Sequence, residues 1–270
     1  MGANAELSLQ RLATGQLGLK VRRVPLDAPW DWLGRGWRDL CTVPYVSLPY
    51  GAVFALAAWV LLLGLSLIGA VSLIPVLAGG FMLIGPLLAA GLYEASRRLE
   101  KGERITLREA IGAGWQAAPQ LGFFGVVVFF AYFVWVELSL LLLMLFLGLH
   151  GAALPPPSEF VQTLLFTKAG MGLLLTGTLT GAVLALIVFS ISAVAAPLLL
   201  VMKVDVVTAM ATSVRAVRLN TGTMLLWAAL IAGLMVLGLG TLFFGLVVTF
   251  PLAGHATWHA FRALVDLENN

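Results

Sequence analysis

The chain has 270 residues, of which 60% are hydrophobic and only 11% charged. Soluble domains run nearer ~25% charged, so too little polar surface is present to solvate a globule, and a water-soluble enzyme, a disordered chain and a coiled coil are all excluded. A single cysteine, Cys41, rules out an intramolecular disulfide or a thiolate metal cluster, and the net charge of +3 has a topological cause in basic residues beside membrane spans, with no nucleic-acid partner implied.

Residues 1–29 carry Arg11, Lys20, Arg22 and Arg23 without an apolar stretch, and read as a cytoplasmic arm with no cleavable signal peptide. Next, Trp30, Leu33, Trp37 and Leu40 recur at helical spacing opposite Asp31, Arg35, Arg38 and Asp39. That pattern predicts an amphipathic helix at the membrane surface, with Trp30 and Trp37 as lipid contacts. From Tyr50 to Tyr93 no charge occurs over 44 residues, about twice the ~20 that cross a bilayer, and Gly69-Ala70-Val71-Ser72 breaks the run near its middle. Two helices follow, about 50–68 and 72–93. Residues 121–149, apolar except for Glu137, predict a third span that ends before Pro155-Pro156-Pro157, and 169–202 a fourth with Pro197 late in it. Unbroken runs of this kind exclude a β-barrel.

The last run, Leu219 to Gly254, has 36 residues without charge and fits one long helix or two short ones. A weak internal repeat favours two. Before the third span, Leu107, Ile111 and Trp115 repeat the surface-helix pattern, and Thr106 with Glu109 forms a capping box. Before residue 222, Val207, Met210, Val214 and Val217 do the same. The outgoing segments also echo one another, with Pro86, Pro197 and Pro251 each followed by leucine. Three tandem modules, about 30–105, 106–204 and 205–270, then build one all-α polytopic bundle of six spans, with five as the alternative, and place surface helices before spans 1, 3 and 5. Of the 16 Lys and Arg, fifteen fall on one side of this arrangement and only Lys168 on the other, which predicts cytoplasmic N- and C-termini.

Few residues could act chemically. Glu137 is the one acid in the middle of a span, and it either faces a wet cavity, as a proton, cation or amine site, or bonds across helices to Thr176, Thr178, Thr180 or Ser190. His255 and His259 stand four apart on one helix face in HATWH, a metal-compatible spacing that Glu94 or Glu100 could complete as a divalent site; otherwise they are polar residues of a helix end. A haem is not expected, because His255 and His259 share one helix face and His150 falls in the outer loop. Arg97 and Arg98 fit a helix C-terminus facing anionic headgroups or a bound anion, and Trp115 and Trp258 fit interfacial anchors. Gly177 and Gly181 make a small-residue packing face. No P-loop, GxSxG, HExxH or glycine-rich dinucleotide turn occurs, so no enzyme is expected.

Four segments in combination, GWRDL at 36–40, SLPYG at 47–51, GLYEASRRLEKGE at 91–103 and GHATWHAFRALV at 254–265, resemble a bacterial inner-membrane family, domain of unknown function family 2189. The resemblance implies a polytopic membrane protein and supplies no activity. The residues favour a non-enzymatic accessory, scaffold or assembly subunit, with lipid and other membrane subunits as partners. A channel or carrier using Glu137 comes second, and a metal-binding membrane protein third.

Overall fold

A computed structural model describes residues 19–70, 73–116, 118–148 and 157–267. Among these the structure is helical, with one isolated bridge between Val21 and Val265 and no strand. The first part of the chain contains α1 (Ala28–Thr42), α2 (Pro44–Leu67), α3 (Ile74–Leu88) and α4 (Ala90–Glu100). The middle of the chain adds α5 (Leu107–Gln116), α6 (Ala118–Leu143) with a π-helical turn at Met144–Gly148, α7 (Pro157–Phe166), α8 (Lys168–Ser192) and α9 (Ala195–Val201). The last part holds α10 (Val206–Leu219), α11 (Thr221–Gly240) and α12 (Leu246–Leu264). Helix α7 has no counterpart in the sequence pattern: Pro157 takes its first position, where a missing N–H costs nothing.

Local chemistry sets these boundaries. Proline occupies the first turn of α1, α2 and α3. Helix α5 starts on the expected capping box, with the Thr106 amide donating to Glu109 Oε2 at 2.8 Å and the Glu109 amide to Thr106 Oγ1 at 3.3 Å. Asp205 caps α10 by accepting from the Thr208 amide at 2.8 Å. The outgoing spans break close to their prolines, at Ala89 after Pro86 and at Ala193–Val194 before Pro197. Pro251, by contrast, sits inside an unbroken α12. Surface helices α1, α5 and α10 do precede spans α2, α6 and α11.

Five helical segments are long and apolar enough to cross a bilayer: Pro44–Leu67, Ile74–Glu100, Leu121–Gly148, Lys168–Val201 and Thr221–Gly240. Their outward residues, among them Leu56, Val60, Phe129, Leu179 and Leu237, are more than half exposed, as lipid-facing side chains must be. The chain is a multi-pass integral membrane protein.

The ambiguous last run is two helices. After α11 the chain turns through Thr241–Gly245, where the Gly245 amide donates to Thr241 Oγ1 at 2.8 Å, and α12 returns alongside. The segment before α1 ties the far ends of the hairpin together: the Val24 amide reaches Asn220 Oδ1 at 2.9 Å and the Arg22 amide the Leu264 carbonyl at 2.8 Å. From Leu19 onward the N-terminal arm is therefore part of the fold. An Arg22–Asp266 ion pair at 2.7 Å lies at the same end.

Helix α12 is the least apolar of the long helices and the most enclosed, with 13 of its 19 residues buried against 4 of 24 in α2. Protein surrounds both histidines of its polar end, which therefore need not meet lipid, while Arg262 stays exposed. Two glycines permit this packing. A Cβ on Gly36 of α1 would lie 2.7 Å from the Ala256 nitrogen, and one on Gly51 of α2 would lie 2.5 Å from the Val247 carbonyl oxygen. Helix α1 consequently rests on protein through Trp32, Gly36 and Leu40, while Trp30 and Trp37 stay outside, 58% and 50% exposed, where lipid contact was expected.

Candidate functional site

The end of the bundle that carries most of the charge also holds its densest polar cluster. His255, completely buried on α12, has Ser47 Oγ of α2 at 2.8 Å from Nε2 and Ser96 Oγ of α4 at 2.8 Å from Nδ1. Ser96 in turn donates to Asp39 Oδ2 of α1 at 2.6 Å, and His259 Nε2 stands 2.8 Å from the same oxygen. These contacts fix the proton order. Because the one Ser96 proton goes to Asp39, Ser96 must accept from His255 Nδ1–H; in the neutral imidazole Nε2 is then bare and accepts from Ser47. Every donor in the series points toward Asp39. The order hydroxyl, imidazole, carboxylate is also that of a nucleophile relay. Ser47, however, is fully buried and lines neither described cavity, so what the arrangement does here is join α1, α2 and α4 to α12.

An ionic rim continues from this cluster. Glu100 lies 3.8 Å from His259 Nδ1 and 3.2 Å from Arg262 Nε. Buried Glu94 accepts from Arg97 Nε and Nη2 at 2.6 and 2.7 Å and from Arg98 Nε at 2.9 Å, and Arg98 also reaches Glu109 at 3.0 Å. The Thr106 hydroxyl and amide, joined by the Arg98 guanidinium, push the Glu109 carboxyl down to about 2.

Several expectations are corrected here. The set His255, His259, Glu94 and Glu100 does not converge as ligands: both His255 nitrogens face hydroxyls, and Glu94 is enclosed by two guanidinium groups. Among the described residues no group of three or more His, Cys, Asp or Glu could hold a metal ion. Arg97 and Arg98 bind carboxylates of their own chain in place of a headgroup or anion. Trp258 is no interfacial anchor; it is 2% exposed and packs on Phe261 at 5.4 Å, on a stretch of α12 buried from Ala253 to Phe261. Gly177 has open space beside it, whereas Gly181 does pack, a Cβ there falling 2.9 Å from the Trp135 ring. His150 and the side chain of Trp115 lie outside the described residues.

Glu137 meets neither expectation. It is exposed on the outer face of α6, lines neither cavity and has no hydrogen-bond or ion-pair partner among the described residues. Of the hydroxyls expected to meet it, two are turned to their own helix, Thr176 to the Gly172 carbonyl and Ser190 to the Leu186 carbonyl, both at 2.7 Å, and neither Thr178 nor Thr180 bonds to Glu137.

Asp39, Ser47 and Ser96 do not stand out in the sequence. Their one signal is membership of the segments that carry the family resemblance, and the fold brings all four of those segments into this cluster. No curated protein and no solved structure matches the chain. Residues 73–201 match the family described as predicted integral membrane protein (DUF2189), the family that the sequence segments resemble.

Proposed function

We propose that the protein is a non-enzymatic accessory or scaffold subunit of a larger complex in a bacterial inner membrane, with its charged end in the cytoplasm. Glu137 carries this reading. Val126, Phe130, Phe133 and Leu141 of α6 and Met144 of its π-helical turn are all exposed and, with Glu137 in the same stripe, recur at three- and four-residue steps. A charged group at the centre of a span costs about 2.5–3.5 kcal/mol even on the mildest scale, so an acid on the outside of a span calls for a partner that donates to it. A second membrane chain with a hydroxyl, amide or basic group at that depth would meet this need, and the apolar stripe around Glu137 would supply contact area. The fifteen-to-one distribution of Lys and Arg supports the orientation.

A carrier built on Glu137 has less support, since the residue lines neither cavity. The test is extraction from the native membrane in mild detergent with photo-crosslinkers at Phe133 and Leu141. Both positions should capture one and the same membrane polypeptide, a crosslinker at Leu179 should not, and Glu137→Leu should lower the yield at least fivefold. Recovery as a free monomer, with lipid the sole adduct at both positions, would overturn the proposal.

A further inference from the structure

A cavity of about 390 Å³ lies between α3, α8 and the α11–α12 hairpin, within the range of ordinary small-ligand sites. Its lining is almost wholly apolar. Four side chains with donors interrupt it, Tyr93, Ser192, Trp227 and Thr257, of which Thr257 donates to the Ala253 carbonyl at 2.7 Å. Ser192 and Trp227 both line the cavity, both are at least 99% buried, and neither Ser192 Oγ nor Trp227 Nε1 has a hydrogen-bond partner among the described residues. A buried donor left unpaired costs about 1–3 kcal/mol, so two in one chamber invite an acceptor.

The cavity has a direction and a mouth. Ser192 stands at the charged end, just before the Val194 amide that donates to Ser213 of α10, and Trp227 is in the second turn of α11. Met235 lies eight residues further along α11, about 12 Å deeper at the helical rise, among the apolar lining residues Leu83 and Phe250. The donors therefore sit near one membrane surface and the apolar chamber runs inward from them. Leu186 of α8 and Leu225 of α11 line the cavity and are also 43% and 49% exposed, so the chamber opens sideways between these helices toward lipid.

We infer that this chamber binds a bilayer-soluble amphiphile, with a carbonyl-bearing head accepting from Ser192 Oγ–H and Trp227 Nε1–H and a hydrocarbon tail directed toward the bilayer centre. A lipid in the adjacent leaflet has this polarity, and so has a prenylquinone; the shared chemistry is a carbonyl acceptor on an apolar chain. The site is independent of the proposed docking face, since no residue of α6 lines the cavity.

The test uses the full chain in nanodiscs of phosphatidylethanolamine and phosphatidylglycerol doped with a diazirine-labelled diacyl phospholipid or a diazirine-labelled alkane, with label positions mapped by mass spectrometry. Phospholipid label should concentrate at least fivefold on the peptides around Ala185 and Ala228 relative to those around Leu179 and Phe133. Ala228→Trp, which fills the chamber, should abolish that excess. Ser192→Ala with Trp227→Phe should lower phospholipid labelling at least threefold and leave alkane labelling unchanged, the latter also reporting that the chamber is intact. Displacement by a prenylquinone assigns the quinone as occupant and resistance to it assigns the phospholipid; either upholds the inference. Labelling no denser in the chamber than around the perimeter, or phospholipid labelling indifferent to loss of both donors, would overturn it and leave the Glu137 proposal standing.

Discussion

Replacing Asp39 by alanine removes the acceptor toward which the whole buried series is directed. Asp39 Oδ2 takes a proton from Ser96 at 2.6 Å and stands 2.8 Å from His259 Nε2, and its side chain is only 16% exposed, so water cannot readily substitute. Each stranded buried donor costs about 1–3 kcal/mol, which puts Asp39→Ala at about 2–6 kcal/mol. An asparagine side chain in its place would retain one carbonyl acceptor and lose the charge, so Asp39→Asn should cost about half as much. Asp31, exposed on the same helix, supplies the control: Asp31→Ala should stay within ~0.5 kcal/mol. The assay is the thermal midpoint of the purified protein in one mild detergent, where Asp39→Ala should fall by at least about 4 °C on the usual scaling for chains of this size. A midpoint for Asp39→Ala equal to that of Asp31→Ala would refute the claim that the cluster holds α1 to α12.

Other predictions follow from single contacts. Gly36→Ala should destabilise by about 1–3 kcal/mol, because its Cβ would meet the Ala256 backbone at 2.7 Å, whereas Gly34→Ala, with nothing within 4 Å, should be neutral or gain up to about 1 kcal/mol of helix propensity in the same midpoint assay. Gly181→Leu should displace Trp135, whose Nε1 donates to the Val76 carbonyl at 2.8 Å, and change tryptophan fluorescence; Gly177→Leu should leave it unchanged. The Glu109 carboxyl titrates near 2 in the folded chain and near 4.5 when unfolded, so its cap on α5 should be fully present above about pH 4.5, weaken as pH falls, and be lost below about 2. Amide-exchange protection in the first turn of α5 reports this, and Glu109→Gln should remove the pH dependence.

Much of the fold could be read from helical period, caps and charge. The capping box at Thr106, the surface helices before α2, α6 and α11, and the split of the last apolar run all follow from patterns a few residues long. What eluded the sequence depends on neighbours. Helix α6 is apolar all round, so no stripe told which way Glu137 faces. Trp258 and the two histidines look like a polar helix end by local hydropathy, and only the packing of α1, α2 and α4 around α12 makes them core. Asp39, Ser47 and Ser96 are ordinary residues taken singly; what sets them apart is their approach to His255 and His259 across separations of 159 to 220 positions, save the 57 between Asp39 and Ser96.

Helix α12 doubles back through the bundle and brings HATWH beside the RRLE segment, and the buried cluster depends on that return. Glu100 and Arg262 mark the junction on partly exposed side chains, 33% and 41% accessible and 3.2 Å apart, so cysteines there should not disturb the core. Glu100→Cys and Arg262→Cys in a Cys41→Ser background should be joined in high yield by a short bifunctional thiol reagent in intact membranes, and Lys168→Cys with Arg262→Cys should not. If the last run crossed only once, residues 100 and 262 would lie about 30 Å apart on opposite faces of the hydrocarbon. No crosslink between positions 100 and 262, with efficient crosslinking between 168 and 262, would contradict the account.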